Sequence, residues 1–170
     1  MPIPVFGSVD ELLMGVLRRF FEQHAPHVHI GTLVTPNMKL PAIIARRERR
    51  SGTIGNKSDD DRFLRGSVIS INTFTNGLDA DEAGEELHEA VQIALRTAQV
   101  EQWVIPDAGV INQLENSTTP SRVADWATST GVVQYASLPK GWVRYESIYR
   151  LLIRPPDQDT ITNRFLANYL

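Results

Sequence analysis

The chain lacks cysteine altogether, which excludes a disulfide framework, a thiolate metal site and a cysteine nucleophile. It has no apolar run that approaches the roughly 18 residues needed to span a membrane. Its opening residues, MPIPVFGSVDELL, lack the basic start and long apolar core of a signal peptide. The net charge is only −3, which argues against a protein whose main task is to bind nucleic acid phosphates. These absences predict a soluble cytoplasmic protein.

Two amphipathic helices dominate what is present. The first is predicted over residues 8–24, with Ser8 and Glu11 as a capping box and apolar residues repeating at the helical period. The second is predicted over 79–98, with Asp79 as the N-cap and a stripe of small and apolar residues along one side. Both patterns indicate helices that bury one side against a neighbouring layer.

The remaining segments alternate in the manner of strands. Extended segments are predicted over 27–34, 40–46, 66–76, 109–115 and 143–154, with a further short strand near Val132, Val133 and Tyr135. This order predicts an α+β fold, a mainly antiparallel sheet with two amphipathic helices packed on one face. Chain length favours one domain, residues 1–154, which contains a long polar loop over 47–64, and a C-terminal tail over 155–170.

Charge is distributed unevenly along the chain. Residues 46–65 contain seven basic and four acidic side chains, a net charge of +3, so the rest of the chain carries −6. The basic residues begin with four closely spaced arginines: Arg46, Arg47, Arg49 and Arg50. The carboxylates concentrate on the second helix, at Asp81, Glu82, Glu85, Glu86 and Glu89. An ordinary solvated loop, contact with nucleic acid and pairing between subunits all fit this distribution. Between the last two we favour pairing, because three aspartates lie in the same basic loop.

Candidate catalytic groups are few. His24, His27 and His29 are close in sequence, and imidazole binds zinc, copper or nickel, but no carboxylate or thiolate accompanies them at matching spacing. The carboxylates of the second helix are typical of a solvated helix face near a helix N-terminus. No Gly-x-Ser-x-Gly motif occurs. We therefore predict no catalytic, cofactor-binding or metal-binding residue, and a protein that is not an enzyme.

The order of these segments resembles a known family. An N-terminal amphipathic helix, a long polar loop, a strand ending in INTFTNG, the helix DADEAGEELHEAVQIAL and the strand YESIYRLLIRP together resemble the tail terminator proteins of long-tailed bacteriophages. The resemblance covers most of residues 8–154 in order and patterning, and rests on no single short motif. It does not extend to residues 106–142 or to the C-terminal FLANYL.

The resemblance implies a structural role in the virion, at the head-proximal end of the tail, after assembly in the host cytoplasm. Such proteins form a ring, expected to be a homohexamer, which caps the tail tube, stops its polymerisation and joins the head. The implied partners are other copies of the chain, the tail tube protein and the head–tail connector proteins. DNA would be only cargo in the lumen, and no membrane partner is implied.

Within this reading, the arginines and the acidic helix are the predicted subunit interface. The tail residues Phe165, Leu166, Tyr169 and Leu170 are the predicted docking site for a partner. The alternatives are another adaptor of the head–tail neck and, from different classes, a small histidine-dependent metal enzyme or a nucleic-acid-binding module.

Overall fold

In a computed structural model, the part of the chain that is described forms two helices and six strands. The structure describes residues 7–35, 37–48, 64–116, 118–123 and 139–156. The elements in chain order are α1 (Val9–His24), β1 (His29–Gly31), β2 (Ala42–Arg47), β3 (Arg65–Thr75), α2 (Ala80–Val100), β4 (Val110–Asn116), β5 (Ser121–Arg122) and β6 (Val143–Arg154).

Both helices begin where the sequence predicts, but not by the predicted contacts. Ser8 and Asp79 occupy the N-cap positions, and neither side chain makes a capping hydrogen bond. Instead, the backbone carbonyls of these residues accept the first helical hydrogen bonds, from the amides of Leu12 and Ala83. The apolar period alone therefore located the helix starts, and the predicted capping box of Ser8 and Glu11 was wrong.

The strands form one sheet in the order β1-β2-β3-β6-β4, with β5 also paired to β6. β1 and β2 are parallel, whereas the other pairs are antiparallel. β6 is the long central strand: it pairs with all of β3 on one side and with β4 and β5 on the other. The mainly antiparallel sheet of the predicted α+β fold is confirmed.

The main core lies between the two helices and one face of the sheet. Alternate residues of the strands point into it, including Ile43, Ile71 and Tyr149, which are fully buried. α1 covers β1 and β2, while α2 covers β3, β6 and β4, and the two helices contact each other. Both helices thus lie on the same face, as the sequence predicted.

The second face of the sheet is covered at one end by a smaller apolar cluster. Phe74, Ile44, Ala42 and Met38 are buried there, and Trp142 packs against Phe74. Further along this face the side chains become polar, beginning with Arg144, which is fully buried and bonded to Asn72 and Glu146. The strand alternation predicted for β6 places its arginines on this face.

Some of the predicted segments lie outside the residues that the structure describes. The expected strand near Val132–Tyr135 and most of the polar loop, residues 49–63, lie outside the described residues. The same holds for most of the C-terminal tail. Within the described part of the chain, neither helix is long and apolar enough to cross a membrane.

Candidate subunit interface

The acidic patch, which we define as Asp81, Glu82, Glu85, Glu86 and Glu89, occupies the first half of α2. Its spacing of three and four residues places these side chains along the side of the helix opposite to the buried stripe. All five residues are exposed. No lysine or arginine lies among residues 79–89, so no cation neutralises the patch from within the helix. Within its own stretch of helix, the patch therefore presents only negative charge to solvent.

One member of the acidic patch is already engaged within the chain. Asp81 accepts a hydrogen bond of 2.8 Å from the guanidinium of Arg122 on β5, and both side chains are about half exposed. The hydroxyl of Tyr145 lies 3.4 Å from both Asp81 and Glu85. Burial, and then the two neighbouring carboxylates, raise the pKa of Tyr145, so this hydroxyl stays protonated and donates. Glu82, Glu86 and Glu89 remain directed outward.

The arginines sit differently from the sequence prediction. Arg46 lies in β2, within the predicted strand 40–46, whereas Arg47, predicted as the first residue of the polar loop, is the last residue of β2. Because neighbouring strand residues point to opposite faces, Arg47 lies on the helix-covered face and Arg46 on the second face. The two residues therefore do not form a single cluster of side chains. Arg49 and Arg50 lie outside the described residues.

A small hollow adjoins these two arginines at the edge of the sheet. β1 pairs with β2 only as far as Ile44, so it does not reach Arg47. The backbone amide of Arg47 instead donates a 2.8 Å hydrogen bond to the carboxylate of Asp10 on α1. The hollow has a volume of about 220 Å³ and is lined by Asp10, Thr32, Leu33, Arg46 and Arg47. Within the described residues, neither guanidinium takes part in a salt bridge. We call Leu33, Arg46 and Arg47 the basic corner.

The basic corner and the acidic patch lie at diagonally opposite corners of the molecule. Arg47 pairs with Ile69, whereas α2 begins beside Thr75, whose hydroxyl donates to the carbonyl of Ala80. Six residues of strand separate these two levels, a distance of about 20 Å. This is far beyond the 4 Å of an ion pair. The start of α2 therefore lies far from Arg47, and among the described residues no salt bridge joins the two surfaces within one copy of the chain.

The three histidines singled out by the sequence are not brought together around a metal ion. His24, His27 and His29 are exposed, and the ring of His24 stacks on that of Phe20. Among the described residues, no group of three or more histidine, aspartate or glutamate side chains is arranged to hold a metal ion.

The fourth histidine, which sequence reasoning did not select, has the most distinctive surroundings. His88 on α2 is fully buried, with its two ring nitrogens each 2.8 Å from a hydroxyl, one of Thr73 on β3 and one of Ser147 on β6. Burial lowers the pKa of His88 to about 4, and a hydrogen bond with the backbone of Ile71 opposes this only in part. The ring is therefore neutral at pH 7.

Ser147 and His88 form a serine–histidine pair of the kind that activates a nucleophile, but their surroundings do not allow catalysis. Both residues and Thr73 are fully buried beneath α2, so a substrate has no route to the serine hydroxyl. The third group is a hydroxyl, which cannot stabilise an imidazolium as a carboxylate does. The cluster instead joins α2 to the two central strands through satisfied buried hydrogen bonds. A clue in the sequence is that His88 falls on the apolar stripe of the helix.

The comparisons with known proteins name no relative: no family model matches the chain, and no curated protein matches it. The predicted docking residues Phe165, Leu166, Tyr169 and Leu170 lie outside the described residues. A functional proposal for this chain therefore rests on the positions of the acidic patch and the basic corner.

Proposed function

We propose that this chain is a structural protein of a phage virion, of the tail terminator class. It forms a closed homo-oligomeric ring, expected to be a hexamer, on the head-proximal end of the tail tube. The ring stops tube polymerisation and provides the surface for joining the head. It turns over no substrate.

The observation that carries this proposal is the diagonal separation of the acidic patch and the basic corner. A ring requires a head-to-tail interface, in which each subunit contributes two different and complementary surfaces. Opposite charges on different elements, with no salt bridge between them among the described residues, fit that requirement. A two-fold interface can pair the same two surfaces reciprocally but closes at a dimer, so the size of the particle distinguishes it from a ring. The α+β layout and the order of its segments, which resemble the tail terminator family, add to this support.

The first test is direct imaging of assembly. The purified protein is examined by negative-stain electron microscopy and native mass spectrometry, alone and after mixing with isolated phage tail tubes. We expect closed rings, or density added at one end of each tube only. Filaments, or decoration along the tube walls, would contradict a terminator.

The second test is a charge exchange between the two surfaces. Arg47→Glu alone and Glu86→Lys alone should each weaken assembly, by at least tenfold in the dissociation constant. The double variant should recover part of that loss, because each copy then presents a lysine to a glutamate on its neighbour. Arg18→Glu on α1, also exposed, is the matched control and should assemble normally. If the double variant is no better than either single variant, the two surfaces do not pair.

A further inference from the structure

Each charged surface of the molecule contains one strongly exposed leucine. Leu78 is completely exposed in the turn before α2, next to Asp79 and the acidic patch. Leu33 is 70% exposed and lines the hollow beside Arg46 and Arg47. Single exposed apolar residues are common on protein surfaces and by themselves indicate nothing. These two leucines are distinguished by their neighbours: Leu33 lies beside the arginines of the basic corner, and Leu78 lies beside the acidic patch.

From this we infer that Leu33 and Leu78 are the apolar centre of one head-to-tail contact between copies of this chain, in which the basic corner of one copy receives the turn before α2 of the next. The inference rests on the proposed ring, and it names the residues at the contact between neighbouring subunits of that ring. Interfaces that bind specifically place an apolar anchor in a pocket and surround it with polar groups. Leu78 is the anchor, and the hollow beside Leu33 is the pocket that receives it.

The charges around the two leucines determine which surfaces meet. Leu78 is accompanied by Asp79 and by the outward carboxylates of the acidic patch. Leu33 is accompanied by two arginines and one carboxylate, Asp10, which is already bonded to the backbone amide of Arg47. A second acidic residue, Glu48, follows directly and is only half-buried, so the formal charges of Asp10, Arg46, Arg47 and Glu48 balance. What this corner offers to a neighbour is therefore two guanidinium groups that form no salt bridge with a described residue, and not a net positive charge. The arginine side chains extend to both faces of the sheet edge, so carboxylates arriving from either side meet a cation.

Other exposed apolar residues on α2 do not fit the same pocket. Ile93 and Val100 are 50% and 80% exposed, and they flank Arg96 on the second half of the helix. A neighbour that placed this region against the basic corner would bring arginine against arginine, which opposes the contact. Val100 is therefore a matched control for Leu78: it is apolar, exposed and at the other end of α2, with Arg96 one helical turn away in place of the acidic patch.

The absence of cysteine from the chain makes the contact directly testable by disulfide cross-linking. Leu33→Cys and Leu78→Cys are made singly and together, and oxidised under mild conditions before non-reducing electrophoresis. A disulfide forms only where the two Cα atoms come within about 7 Å. The double variant should give a ladder of covalent multimers. A mixture of the two single variants should stop at dimers, and neither single variant should cross-link with itself.

The control and the salt dependence complete the test. The control is a double variant that carries Leu33→Cys and Val100→Cys. It should give less than a tenth of the cross-linked product that the double variant with Leu33→Cys and Leu78→Cys gives. Because charge attraction guides the contact, the yield of the ladder should fall in 1 M salt. Dimers formed by Leu33→Cys alone, a ladder equally strong with Val100→Cys, or no ladder at any protein concentration would each overturn the inference.

Failure of the inference can be distinguished from failure of the proposed function. Rings that form on tail tubes without the expected cross-links would leave the tail terminator role standing and overturn only this contact. Conversely, an efficient ladder from a protein that ignores tail tubes would support the contact and count against the tail role.

Discussion

The buried imidazole of His88 should make the stability of this protein depend on pH between about 4 and 6.5. In the folded chain the pKa of this group is about 4, whereas in the unfolded chain it takes its ordinary value of 6.5. Between these values the unfolded chain binds the proton and the folded chain does not. Stability from this group is therefore complete above pH 6.5 and is lost as the pH falls towards 4.

The magnitude follows from the size of the pKa shift. A difference of one pKa unit corresponds to 1.36 kcal/mol, so His88 should contribute a loss of about 3 kcal/mol in the free energy of unfolding across this range. The steepest part of the loss approaches about 1.4 kcal/mol per pH unit. For a domain of ordinary stability this is a large fraction of the total.

Urea denaturation at a series of pH values, followed by circular dichroism, measures this directly. The carboxylates also titrate in the lower part of the range, so the informative quantity is the difference between the parent protein and His88→Gln. Glutamine retains hydrogen-bonding groups for Thr73 and Ser147 but does not titrate. We expect the variant to be less stable at pH 7.5 but to lose less stability on acidification. His27→Gln, which removes an exposed imidazole, is the control and should retain the parent pH dependence. If His88→Gln retains it too, the argument from burial is wrong.

Three further predictions concern packing and charge, each measured as a change in the free energy of unfolding by urea titration. Leu17→Ala removes a fully buried side chain of α1 and should lower the free energy of unfolding by about 2–5 kcal/mol. A loss below about 1 kcal/mol would mean that the surrounding core rearranges to fill the cavity. Gly84→Ala should destabilise although alanine favours helices by about 1 kcal/mol, because its Cβ would lie 2.7 Å from the buried ring of Tyr145; a more stable variant would show that the ring yields. Arg122→Ala, which breaks the exposed ion pair with Asp81, should cost less than about 1 kcal/mol, and a larger loss would assign β5 a structural role.

The sequence was informative where one periodicity extended over many residues. The stripe of α1 and the alternation of β6 predicted both elements almost to the residue, and β6 runs over Val143–Arg154 as expected. By contrast, β1 covers only three residues of the segment predicted over 27–34, and β5 is only two exposed residues long, too short for any period to show. β5 was not predicted at all.

The candidate site could be predicted only in part, because its properties depend on register and on distant residues. Arg46 was assigned to the end of a strand and Arg47 to the polar loop, but pairing with β3 extends β2 to Arg47 and places these neighbouring arginines on opposite faces. His88 meets Ser147 across 59 residues of chain, a distance that no local pattern reports. The acidic patch, in contrast, was predictable because its helix and its spacing are both local.

The central position of β6 has a consequence for synthesis of the protein. β3 and β4 do not pair with each other, and both are held in the sheet by a strand that follows them in the chain. While the polypeptide is being translated, β3 can pair with the earlier strand β2 along one edge, but its other edge and the edge of β4 that faces β6 emerge unpaired. The sheet is complete only when Arg154 has left the ribosome, and until then these unpaired edges are exposed to aggregation.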